Sequence, residues 1–148
     1  MNRFCVGSDH AGFELKQKLV ARLVALGYEV QDLGTDSPAS TDYPDFAHPV
    51  AAQVRNGTVE LGLLLCGTGL GMSYAANRHP HVRAAVAWTP AIAELARKHN
   101  DANILVLPAR FVSEDDANLI LDTFLATPFE GGRHGRRVEK IEPALETK

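Results

Sequence analysis

The segment Cys66-Gly67-Thr68-Gly69-Leu70-Gly71 combines a nucleophile with three glycines at alternate positions. Such glycines let the backbone turn sharply and aim several N–H groups at one spot. An apolar run, Leu61 to Cys66, precedes the segment, and a helical stretch to about Asn77 follows it. The loop therefore joins a strand to a helix N-terminus, which favours a bound anion. A thiol at that point is favoured as the thiolate and could remove a proton. The N–H groups of Gly67, Gly69, Leu70 and Gly71 could then hold the oxyanion that forms. Three motif readings fail. A dinucleotide fingerprint needs glycine where Met72 stands, a cysteine-phosphatase loop needs arginine there, and a P-loop needs Gly-Lys-Ser/Thr. The plainer alternative is a tight turn beside a small buried thiol.

Four other groups could act with it. Asp9-His10 ends the first apolar run, where the alternative is an N-cap aspartate beside a solvated histidine. His99-Asn100-Asp101 follows a helix, where a cation is favoured by the dipole in any case. Tyr43 lies in a polar loop over residues 34–44, bounded by Pro38 and Pro44. Arg133 and Arg137 are spaced to share a helix face and clamp one dianion, unless they are only a solvated basic tail.

Alternating short apolar runs and amphipathic stretches must position these groups. Strands are expected at Phe4–Gly7, Glu29–Leu33, Leu61–Cys66, Arg83–Trp88 and Ile104–Leu107. Between them, Leu15, Leu19, Leu23 and Leu26 mark one helix stripe, ended by Gly27, and Phe46, Val50 and Val54 mark another. Thr89-Pro90 starts a helix expected to turn Ile92, Leu95 and Ala96 inward. Ser113 caps a helix carrying Ala117, Ile120, Leu121, Phe124 and Leu125. The pattern predicts an α/β fold, a three-layer sandwich with a five-stranded, largely parallel Rossmann-like sheet. Ligands in such sheets bind at the carboxyl ends of strands, which selects Asp9-His10, Cys66 to Gly71, Trp88-Thr89 and Pro108 to Arg110.

The chain has 148 residues, the size of one domain. A formal charge of -3 excludes the strong net positive charge of nucleic-acid binders. The sequence lacks a signal-peptide core and any apolar run long enough to span a membrane, so no membrane and a cytoplasmic setting are expected. Two cysteines without metal-ligand spacing suggest neither a disulfide framework nor a metal site.

Taken together, Ser8 to Lys16, Thr41-Asp42-Tyr43-Pro44, Cys66 to Gly71, Ala75-Ala76-Asn77, His99 to Asn103 and Glu130 to His134 resemble the type B ribose-5-phosphate isomerase family, over almost the whole chain. The resemblance implies an aldose–ketose isomerase of ribose 5-phosphate and ribulose 5-phosphate in the pentose phosphate pathway, with no metal or organic cofactor. It implies Cys66 as the base, Thr68 assisting the oxyanion hole, His99 as the ring-opening group, and Asp9, Tyr43 and Asn100 on the sugar. His10, Arg110, Arg133 and Arg137 are implied at the phosphate, with Arg136 as a rival to Arg137. It further implies a homodimer, or a dimer of dimers, in which the tail from about 130 to 148 reaches a neighbouring subunit's site. Two alternatives stand beside this reading. One is preference for allose, galactose or tetrose phosphates, and the other is a noncatalytic phosphate-binding module.

Overall fold

A computed structural model describes residues 2–144. Met1 and the end of the basic tail, residues 145–148, lie outside the described residues. Five strands form one all-parallel sheet in the order β2-β1-β3-β5-β4. They are β1 (Arg3–Ser8), β2 (Glu29–Asp32), β3 (Leu61–Cys66), β4 (Ala84–Val86) and β5 (Ile104–Pro108). The helices are α1 (Phe13–Ala25), α2 (Pro44–Arg55), α3 (Leu70–Ala76), α4 (Pro90–Asn100), α5 (Glu114–Ala126) and α6 (Arg133–Glu139).

The three-layer expectation holds because successive strand residues face opposite ways. Phe4, Val6, Leu63, Leu65, Leu105 and Leu107 pack beneath α1, α4 and α5. Cys5, Leu64, Cys66, Ile104 and Val106 pack beneath α2 and α3. Strands buried on both faces must be apolar almost throughout, as Leu61 to Cys66 is. The winding direction reverses at β1: the chain crosses to β2 on one side, then returns to β3 on the other. The carboxyl ends of β1 and β3 therefore flank the switch-point crevice where ligands bind in such sheets.

Three expectations are corrected. Leu26 is exposed, because it follows the last turn of α1 and Gly27, at φ 95°, swings the chain away. The fourth strand spans only Ala84–Val86, since β4 is an edge strand with β5 as its one neighbour, and Trp88 lies outside it with half its surface exposed. Most importantly, α4 buries Ala93 and Ala96, while Ile92 and Leu95 are 46% and 45% exposed. Small alanines let α4 pack closely on the sheet, and the larger residues line its outer face with His99, seven positions after Ile92.

Leu63, fully buried in the central strand β3, tests this core. Leu63→Ala should cost about 2–5 kcal/mol in urea unfolding, and a loss under about 1 kcal/mol would contradict the packing described.

Candidate active site

Cys66 closes β3 with its side chain almost buried, 5% exposed. The Gly69 N–H donates to its Sγ at 3.2 Å. That contact needs a backbone reversal, and Gly69 supplies it at φ 80°. A Cβ there would also sit 3.0 Å from the Val86 side chain. Leu70 N–H donates to Thr68 Oγ1 at 3.2 Å. Two of the expected oxyanion donors are thus turned onto neighbouring side chains, the thiol and the threonine hydroxyl. Because α3 has only seven residues, local N–H groups rather than a long helix dipole set the electrostatics here.

The other cysteine has a different environment. Burial pushes the Cys5 thiol up to about 12, and it donates to Val50 O at 3.7 Å. Cys5 therefore stays a thiol and serves as a core residue.

Asp9 and His10 lead from β1 into a single 3₁₀ turn. Asp9 Oδ1 accepts from the N–H groups of Ala11 and Gly12, at 3.0 and 3.2 Å. The capping alternative is realised with one oxygen, while a carboxylate has a second that can accept a hydroxyl. His10 is half-buried and exchanges two hydrogen bonds with Thr41. Tyr43, from the same 34–44 loop, packs against Gly71, where a Cβ would come within 2.3 Å of its ring. Arg110 follows β5, and its N–H donates to Gly67 O at 3.1 Å. Its guanidinium passes over Gly67, so Pro108 does not turn it away. Asp9, His10, Tyr43, Cys66, Thr68 and Arg110 thus share the carboxyl edge of the sheet.

His99, Asn100, Arg133 and Arg137 do not join them. Helix α4 starts just after the carboxyl end of β4 and runs back for eleven residues, about 16 Å. Asn103, three residues beyond α4, has its carbonyl bonded to Gly62 at the start of β3. His99 and Asn100 therefore lie at the amino edge, about one strand length from Cys66. Helix α6 packs there, with Arg133 and Arg137 one turn apart and exposed, as a helical clamp requires.

His134, between those arginines, had no assigned role in the sequence reading. It is buried, and its ring stacks on that of His99 at 4.3 Å and 12°. His99, Glu130 and His134 bring donor atoms within 4.8 Å of one another. A metal bound by both rings, however, would have to lie near both ring planes at once, which near-parallel stacked rings disfavour. The stack instead fixes the plane of the His99 ring. Burial holds His134 below its usual range, helped by the nearby charges of His99, Arg133 and Arg137 and opposed by Glu130.

A parallel sheet with a thiol and a glycine loop at its switch point makes a candidate ligand crevice, and the comparisons give its class, that of the sugar-phosphate isomerases. Residues 4–141 match the Ribose/Galactose Isomerase family model, and the chain belongs to that family. It is 48% identical over 95% of both chains to ribose-5-phosphate isomerase B of Escherichia coli. A ribose 5-phosphate isomerase structure from Thermotoga maritima superposes with a TM-score of 0.94, at 52% identity over 97% of this chain and 99% of that one. Ribose-5-phosphate isomerase B from Mycoplasma genitalium, solved with bound ribulose-5-phosphate, gives 0.91 at 43% identity over 94% and 93%.

The lowered His134 has a measurable consequence. A fold that prefers neutral imidazole is fully favoured above the ordinary value of 6.5 and loses that contribution as pH falls through the folded-state value. Stability should therefore fall from about pH 7.5 to pH 5, and His134→Phe, which keeps a flat ring against His99, should flatten that slope. Equal slopes in thermal unfolding of the two proteins would contradict the assignment.

Proposed function

We propose that this protein interconverts ribose 5-phosphate and ribulose 5-phosphate through an enediolate. The observation that carries the reading is the thiol of Cys66 at the switch-point crevice, with the Gly69 N–H donating to its sulfur. In the ribose direction, Cys66 takes the proton from C2 as thiolate. The electrons of the broken C–H bond form the C1–C2 double bond, and charge moves onto O1. Backbone N–H groups of the Gly67 to Gly71 loop, with Thr68, stabilise that oxygen, the type of interaction that lowers such barriers most. The O2 proton passes to O1, Cys66 returns its proton to C1, and the electrons left on O2 form the C2 carbonyl of the ketose. Asp9 and Tyr43 hold sugar hydroxyls, and His10 and Arg110 meet the phosphate.

The ring-opening histidine comes from a second copy of the chain. Across a twofold axis two α4 helices run antiparallel, so the partner's carboxyl end lies beside the first chain's Thr89. The length of α4 nearly equals that of β3. Such a pairing therefore carries a partner's His99, Asn100, Arg133 and Arg137 to the carboxyl edge that holds Cys66. The surface suits it: Leu70, Tyr74, Trp88, Ile92, Leu95 and Phe111 are all exposed. Leu70, Trp88 and Phe111 line one hollow with Thr68, and exposed apolar groupings of this kind mark interaction surfaces. The basic tail acts in the neighbour's site, where Arg136 and Arg137, at i+3 and i+4 from Arg133, both lie near its face, and the resemblance favours Arg137 at the phosphate. Two free cysteines suit a reducing compartment such as the cytoplasm. No described helix is long and apolar enough to cross a membrane.

A coupled assay on ribose 5-phosphate, allose 6-phosphate and a tetrose phosphate tests the substrate. Ribose 5-phosphate should show the highest kcat/KM. Cys66→Ala should lower kcat by about 10²-fold or more with folding unchanged. Near-wild-type turnover in that variant would overturn the base assignment.

A further inference from the structure

We propose that Thr41 is a positioning residue that holds His10 in the tautomer carrying its proton on Nε2. The imidazole then presents an N–H donor to an anion in the crevice. The proposal rests on the reading that His10 meets the substrate phosphate.

The geometry fixes the proton. Thr41 N–H donates to His10 Nδ1 at 3.1 Å. A backbone amide can only donate, so Nδ1 must carry a lone pair and no hydrogen. An imidazolium, or the Nδ1–H tautomer, would set two hydrogens against each other along this line. The ring's one proton is therefore on Nε2. In return His10 N–H donates to Thr41 Oγ1 at 3.1 Å. With Oγ1 accepting that bond, its own hydrogen can also turn to Nδ1, 3.5 Å away. Every Thr41 group that faces Nδ1 is then a donor.

The loop carrying Thr41 is held at both ends. At its start, Ser8 N–H donates to Gly34 O and Thr35 N–H to Ser8 O, both at 2.7 Å. The Asp32 carboxylate accepts the Gly34 N–H at 2.9 Å and the buried Lys16 ammonium at 2.6 Å. At its end, Tyr43 is pressed on Gly71. Thr41 cannot drift away from His10 without disturbing these anchors. The chemical result is a choice of sign. Dianionic phosphate oxygens only accept hydrogen bonds, so the opposite tautomer would turn a lone pair toward them. Thr41 thus makes an uncharged histidine an anion ligand, leaving the countercharge to the arginines.

The tautomer is read directly by long-range ¹H–¹⁵N NMR of histidine-labelled protein at about pH 8, where ordinary imidazole is uncharged. His10 should show a bare Nδ1 and a protonated Nε2. A protonated Nδ1, or rapid exchange between the two forms, would overturn the proposal without any substituted protein. The functional arm uses Thr41→Val and Thr41→Ser, which keep the backbone donor to Nδ1 and change only the side chain that accepts the His10 N–H. Valine should raise KM for ribose 5-phosphate and the Ki of inorganic phosphate by about tenfold, the size of one lost hydrogen bond, with kcat within about twofold. Serine should restore both. Valine with unchanged KM, or serine as poor as valine, would contradict the positioning role. Failure of the underlying reading looks different: His10→Ala would leave KM unchanged while the wild-type tautomer stayed as described.

Discussion

A helix that returns from a parallel strand must run the length of the sheet, and this constraint shapes the candidate site. Cys66 stands at the end of β3, while His99 stands at the end of α4. Any chemistry that needs both must bridge the length of a strand. Side chains cannot do that, but a second copy turned end for end can. The same helix that separates the two groups supplies the ruler that joins them. Its alanines seat it on the sheet, and its outer face carries Ile92, Leu95 and His99. On the proposed arrangement, assembly energy and catalytic geometry come from one helix.

Within each half the chain spends ordered backbone on holding a few side chains. Gly69 adopts a conformation that only glycine takes cheaply, and the resulting N–H meets the Cys66 sulfur. The 34–44 loop spans the crevice, touching His10 through Thr41 and Gly71 through Tyr43. Lys16, in the first turn of α1, is buried and reaches Asp32 at the loop's base. Removing one member of such a pair leaves an uncompensated charge, so the pair favours a single loop position. On the amino edge, the His99–His134 stack gives a comparable restraint to an otherwise mobile imidazole.

Much of the architecture was legible because it rests on local signals. The strand Leu61–Cys66, the cap at Thr89 and the stop at Gly27 follow from apolar runs, side-chain oxygens and glycine. The glycine loop announced itself for the same reason. Periodicity, however, reports only that a face is apolar, not what covers it. Ile92 and Leu95 therefore fit a core stripe by spacing, yet they point outward. The separation of Cys66 from His99 needed the strand order, which no local pattern encodes. Thr41 and His134 stand within recognisable segments, but their roles are not legible there because their partners are set by tertiary contact, His10 lying thirty-one positions from Thr41. The arginines on either side of His134 were the available hint.

The central claim is that the catalytic thiol and the ring-opening histidine act in one site but come from different chains. Cys66→Ala and a His99→Ala/Arg137→Ala double variant, each inactive alone, can be co-refolded and assayed on ribose 5-phosphate. A mixed dimer would hold one site with both mutant halves and one with neither, so random pairing should restore about one quarter of wild-type activity. Activity no higher than that of the separate variants, with mixed dimers shown to form, would contradict the shared site.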